Sequence, residues 1–342
     1  MIVRPRPVPV GLILLAVLTV LGGLTAGIAA SAPAAATTSD VLDPDLSVVV
    51  ENWRGYSGPY HKTHEANRIA VVPSLGADDG KALQLQLNAR PGFGPGRGVQ
   101  IAGNNSAFRY GTFGTRMKTG NCAGQRNRPG VVTGFLIYSP DVSDSNGNGL
   151  ADNAEIDVEV LCAQPEVIWM SLYTDYDEAT DSPRKISRAV DLRTGRVLHN
   201  CYRGSWTGRC QPTLPGENVP AAVRAVPGFN SSEKYHSYSF NWQPDRVRFF
   251  ATDDQGAAVL LWDYQGPASR IPQKPSMFLQ NLWHTRNWDP LNGPARNPPQ
   301  VDTSAFLDST TVPRWSGTVP GTWARVNEDS GLRPHRWARP AQ

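Results

Sequence analysis

Glu155-Ile156-Asp157-Val158-Glu159-Val160 alternates acids with β-branched residues, and that alternation decides how the chain is read. Ile and Val favour extended backbone because their branched side chains pack well on a pleated surface. On a strand, residues two apart share a face. Ile156, Val158 and Val160 then lie on one side, ready to bury against a second sheet, and Glu155, Asp157 and Glu159 line up on the other. As a helix the same residues would turn Asp157 away from the two glutamates, and the pattern would lose its point.

The surrounding sequence has the same texture. Ala82–Leu87, Gly111–Lys118, Val131–Tyr138, Val167–Tyr173, His236–Trp242, Arg246–Thr252, Val259–Trp262 and Met277–Trp283 are short alternating or β-branched runs. Clusters of Gly, Pro, Asn and Asp separate them, and the 32 Gly and 29 Pro leave little room for long helices. The pattern predicts an all-β sandwich without internal repeats.

The ends read differently. Arg4 and Arg6 precede an apolar run, Val10–Leu21, and small residues lead to Ala34-Ala35-Ala36, so residues 1–36 are expected to be a cleaved export signal. The apolar stretch continues through Ala30, which makes an N-terminal membrane anchor the alternative to secretion. Residues 37–46 are a polar lead-in, 47–308 the main domain and 309–342 a Pro/Arg/Trp-rich C-terminal extension. Net charge is +3, of which Arg4 and Arg6 supply two units, so the exported part gives no reason to expect a nucleic-acid partner. No membrane association is expected after signal cleavage, and a monomer is expected. Ten each of Trp, Tyr and Phe fit a surface of flat rings for sugars or an aromatic-rich core, and composition leaves both open.

An even number of cysteines in an exported chain suggests two disulfides. Cys201 and Cys210 would close a short loop, which leaves Cys122 for Cys162 on segments flanking the acidic strand. No CxxC pair occurs, which argues against zinc.

The three acids suggest chemistry. Four residues of strand separate the Glu155 and Glu159 Cα atoms by roughly 13 Å, and side chains leaning together could bring their carboxyls to roughly 5–7 Å. Glycosidases need about 5–5.5 Å for retention and about 6.5–9.5 Å for inversion, so the spacing leaves the stereochemistry open. Three crowded acids cannot all ionise easily, and at least one is expected to titrate high. A merely solvated acidic strand face is the plain alternative, but like charges on adjacent same-face positions repel.

Glu155-Ile156-Asp157-Val158-Glu159 resembles the signature of glycoside hydrolase family 16, and other stretches resemble its landmarks in order. They are Tyr110–Lys118, Gly130–Phe135, the His-x-Tyr-x-Phe-x-Trp-x-Pro-Asp run from His236 to Asp245, and Pro275 to Trp283. The resemblance covers roughly Asn52 to Trp288. It implies a concanavalin A-like jelly roll with a concave substrate cleft, a catalytic domain over 47–308, and a polysaccharide partner. It also implies Glu155 as nucleophile, Asp157 as its assistant and Glu159 as acid/base, with retention by double displacement. Asn281 and Trp283 would face the cleft, Trp283 stacking on a sugar, with Tyr138 and Trp288 as further substrate-binding positions. The regular, unbulged motif is more similar to lichenases and xyloglucan or chitin–glucan transferases than to laminarinases, so mixed-linkage β-glucan or xyloglucan is the first expectation. Transglycosylation and a non-catalytic carbohydrate-binding jelly roll are the alternatives. Two departures from the family pattern stand out: Ser304–Asp308 continues into Ser-Thr-Thr-Val-Pro, and insertions occur around Cys201–Cys210 and Asp175–Asp181.

A competing motif overlaps the acids. Asp144-x-Asn146-x-Asn148-Gly149-x5-Glu155 matches the EF-hand loop pattern. Both flanks read as strands rather than helices, so an EF-hand is not expected. A looser structural calcium turn from Asp144, Asn146, Asn148 and Asp152 is retained as a candidate; no other cofactor is expected.

Overall fold

The computed structural model describes residues 39–42, 69–89, 98–102, 108–139, 143–177, 182–203, 222–284 and 297–313. Within them lie β1 (Ser39–Leu42), β2 (Ile69–Pro73), β3 (Lys81–Leu87), β4 (Gly98–Ala102) and β5 (Gly111–Lys118). There follow β6 (Val131–Ser139), β7 (Ala154–Leu161), β8 (Val167–Asp177), β9 (Ser182–Asp191) and β10 (Arg196–Arg203). The series ends with β11 (His236–Gln243), β12 (Arg246–Thr252), β13 (Ala258–Tyr264), β14 (Met277–His284) and β15 (Thr303–Pro313). The helical content of the described residues is a 3-10 turn at Ala268–Arg270.

The strands form two antiparallel sheets. One runs β13-β12-β11-β5-β15-β3-β2, with β1 also paired to β15; the other runs β10-β9-β8-β7-β6-β14-β4. The acidic segment is the middle strand of the second sheet. The all-β jelly-roll sandwich expected from the sequence is what the chain forms.

Inward-facing rings join the sheets. Phe113 of β5 stacks on Phe240 of β11 at 5.2 Å and meets Phe278 of β14 at 5.9 Å, while Phe135 of β6 stacks on Phe240 at 5.7 Å. Ile156, Val158 and Val160 are buried in the same core. Burying a branched aliphatic side chain is worth about 1.5–3 kcal/mol, so this apolar face fixes which side of β7 turns outward.

Two boundaries move. β15 extends to Pro313, so Ser309–Pro313 belong to the sheet and not to the extension drawn from 309; the register shifts between Leu307 and Ser309, and the strand continues past this irregularity on β5. Ser39–Leu42, inside the stretch read as lead-in, pairs with Thr310–Pro313. In both places backbone pairing overrides the change in composition. The proposed export signal and residues 314–342 lie outside the described residues.

Candidate active site

The register of the second sheet converts sequence into three rows across its outer face, since directly opposed residues of antiparallel strands share a face. The first row is Met277, Tyr138, Glu155, Tyr173 and Lys185 on β14, β6, β7, β8 and β9. The second is Leu279, Leu136, Asp157, Ser171 and Ser187. The third is Gln100, Asn281, Gly134, Glu159, Trp169, Ala189 and His199, running from β4 to β10. The three acids thus stand on the face opposite the core.

Their surroundings differ. Glu155 and Glu159 are partly exposed, whereas Asp157 between them is only 4% exposed. Burial raises the Asp157 carboxyl well above its usual range, and the flanking charges of Glu155 and Glu159 push it further. Lys185 pulls in the other direction, and a hydrogen bond with Glu155 favours the protonated form. Asp157 is thus shifted toward its protonated form, the form in which it can donate to Glu155.

Space beside Glu159 depends on a glycine. A Cβ at Gly134 would lie 3.1 Å from Glu159 Cγ and 3.2 Å from Asn281 Oδ1, so the missing side chain lets these two groups converge. Asn281 is 1% exposed; its Nδ2 donates to Gln100 Oε1 at 3.5 Å, and its Oδ1 has no protein partner. Trp283 lies on the same face beyond Asn281, packed with Val132 and Leu161 and 6% exposed, above Gly98 where a Cβ would sit 2.7 Å from its own. Tyr138 stands directly opposite Glu155. Trp288 lies outside the described residues.

Several residues on this outer face escaped the sequence reading. Trp169, Ser171 and Tyr173 follow from the alternation of β8 once its register on β7 is known. Trp169 sits opposite Glu159 with the His199 ring 5.2 Å away, and His199 Nε2 is 3.2 Å from Ser187 Oγ. Lys185 lies on β9, whose Ser-Pro-Arg-Lys opening gives no strand signal.

The Asn-rich loop ahead of β7 is held together by two of its acids. Asp144 accepts the backbone N–H groups of Asn148 at 3.0 Å and Gly149 at 2.8 Å. Asp152 accepts from the Ser145 N–H at 2.7 Å, Asn146 Nδ2 at 2.7 Å and Lys274 Nζ at 2.9 Å. Burial alone would raise the Asp152 carboxyl, but these donors outweigh it and hold it below its usual range. Among the candidate calcium ligands, Asp152 is thus already neutralised by a cation of the chain, and Asp144 is turned onto backbone donors. The flanking elements are strands β6 and β7, so the EF-hand match is a coincidence of spacing.

Cys122 and Cys162 form a disulfide with Cα atoms 5.4 Å apart, tying the end of β7 to the segment after β5. Cys201 is also disulfide-bonded; Cys210 lies outside the described residues.

Fold and site together define a jelly-roll sandwich with an acidic row on the outer face of the middle strand of one sheet. Residues 191–297 match the sequence model of glycosyl hydrolases family 16. The resemblance to this family noted in the motifs is thus met by a family model, over a segment that lies C-terminal to β7. The chain is 28% identical over 57 residues to a β-glucanase of Bacillus licheniformis, covering 17% of this chain and 20% of that protein. It is 23% identical over 189 residues to a β-glucanase of Acetivibrio thermocellus, covering 54% of this chain and 37% of that protein. The chain therefore spans well under two thirds of the curated relatives it matches. Among solved structures, it is similar to a prokaryotic β-1,3-1,4-glucanase (lichenase) from a mouse hindgut metagenome, with TM-score 0.49, 18% identity and coverage of 81% of this chain and 100% of the other. The Bacillus licheniformis β-glucanase structure gives TM-score 0.48 at 16% identity, covering 81% and 98%.

Proposed function

We propose that the chain is a secreted glycosidase that cuts within β-linked glucan chains by double displacement with retention. The observation that carries this reading is the arrangement of β7: two partly exposed glutamates flank a buried aspartate, its carboxyl raised well above the usual range, on the outer face of the second sheet. Glu155 attacks the anomeric carbon, and the C–O bond to the leaving sugar breaks as Glu159 protonates the departing oxygen. Glu159 then takes a proton from water, which displaces the Glu155 ester and restores both groups. In its protonated form Asp157 donates to the Glu155 carboxylate and stabilises it, and a carboxyl raised above its usual range is suited to that task. The β-glucanase relatives favour a glucan, and the regular motif favours mixed-linkage β-glucan or xyloglucan. The Cys122–Cys162 disulfide fits an oxidising, extracellular setting.

Release of new reducing ends from barley glucan, xyloglucan, laminarin and chitin tests the reading. Products are expected from at least one β-glucan with the wild-type chain and from none with an E155Q/E159Q double variant. Glucan binding that survives in both chains with no products from either would instead identify a binding module.

A further inference from the structure

The first row of the outer face contains a cation beside the acids. Lys185 lies two strands from Glu155, with Tyr173 between them on β8, and its Nζ sits 4.8 Å from the centre of the Tyr173 ring. A Lys stem spans the strand spacing of about 4.8 Å, so an ammonium resting on Tyr173 is brought toward β7. Its charge is felt at Asp157, where it opposes burial and the two glutamates.

We propose that Lys185 is a positioning residue for the acid row: seated on Tyr173, it favours the ionised nucleophile at Glu155 and sets the lower pH limit of activity. This rests on the assignment of Glu155 as nucleophile. The ammonium enters no bond-making step.

The other ionisable groups facing the row define what Lys185 must offset. Tyr138 on β6 and Tyr173 on β8 flank Glu155. Asp157 and Glu159 share its strand, and His199 on β10 lies at the Glu159 end beside Trp169. Asp175 follows Tyr173 on β8 beside a register shift, where it accepts from Asn148, and the register sets Arg203 opposite Lys185 on β10. Asn281, Trp283 and Gln100, on β14 and β4, are uncharged. Among the described residues, Lys185 is the cation whose charge is felt at Asp157, and it acts from the Glu155 end of the row.

The pH dependence of kcat/KM in wild type, K185M and K185R tests the proposal. In K185M the acid limb is expected to rise by about 0.5–1 pH unit, the basic limb at distant Glu159 to move less, and K185R to retain the wild-type profile. An unmoved acid limb in K185M, or a K185R limb displaced as far as that of K185M, would overturn it. K185Q serves in place of K185M if the latter fails to fold. Carboxyl 13C NMR of Glu155, assigned with E155Q, reads the same shift without turnover. There an upward titration in K185M supports the proposal and an unchanged one overturns it. Absence of glucan cleavage by the wild-type chain would sink the hydrolase reading alone.

Discussion

Asp152 and Asp157 lie just before and within the same strand and are equally buried, at 4% exposure each, yet the chain shifts their carboxyls in opposite directions. Asp152 is ringed by donors and by Lys274, and stays ionised. Asp157 is flanked by two more carboxylates, which with burial push its carboxyl well above the usual range. Burial is common to both, so neighbours decide whether a buried acid secures a loop or serves chemistry. The arrangement around Asp152 minimises electrostatic cost; that around Asp157 preserves it, which is expected of a site with a use for the proton.

The comparison predicts its largest effect at the acids flanking Asp157. E155Q and E159Q should each lower kcat/KM on a cleaved glucan by about 10³-fold or more while thermal melting stays near wild type. A loss below tenfold in either would return β7 to the status of an acidic surface. K274M comes next. It leaves Asp152 buried without its cation and should destabilise the fold by about 1–3 kcal/mol at neutral pH, read by denaturant unfolding.

Exchanging each aspartate for Asn sharpens the contrast through pH. A carboxyl held above its ordinary value of 3.8 gives stability that is fully present below that pH and is lost as pH rises toward the folded value. D157N should therefore be more stable than wild type at pH 7, by about 1–2 kcal/mol, with the gap closing below about pH 4. A carboxyl held below its ordinary value gives stability that is present above that value and is lost as pH falls through the folded one. D152N should accordingly be less stable than wild type at pH 7, with its deficit shrinking in acid. Matching signs for the two variants would break the comparison.

The smallest effect is expected at Gly134. G134A crowds Glu159 Cγ and Asn281 Oδ1, so kcat should drop by about tenfold with little change in melting temperature, because small displacements of catalytic groups are costly. Equal losses in stability and activity would reduce Gly134 to a packing position.

Much of this was legible before the structure. The alternation of Glu155–Val160 announced both a strand and its two faces, and the core burial of Ile156, Val158 and Val160 follows from it. The proximity of Cys122 and Cys162 could be reached by elimination. What stayed hidden depends on register, which no local pattern encodes. Lys185 and His199 share the outer face with the acids only because β9 and β10 extend the sheet beyond β8, and both strands are too polar to stand out. The contacts inside the Asp144–Asp152 loop stayed hidden for a related reason. Calcium loops and Asx turns use the same residues, and the Lys274 that pairs with Asp152 lies over a hundred positions away. Ser309–Pro313 read as extension because polar Ser and Thr fill a strand whose alternate residues face solvent.

The anomeric form of freshly released reducing ends tests the central claim most directly. Followed by proton NMR in the first minutes of glucan cleavage, the new ends should be β before mutarotation brings in the α form. Ends that first emerge as α would mean a single displacement by water and would contradict Glu155 as nucleophile.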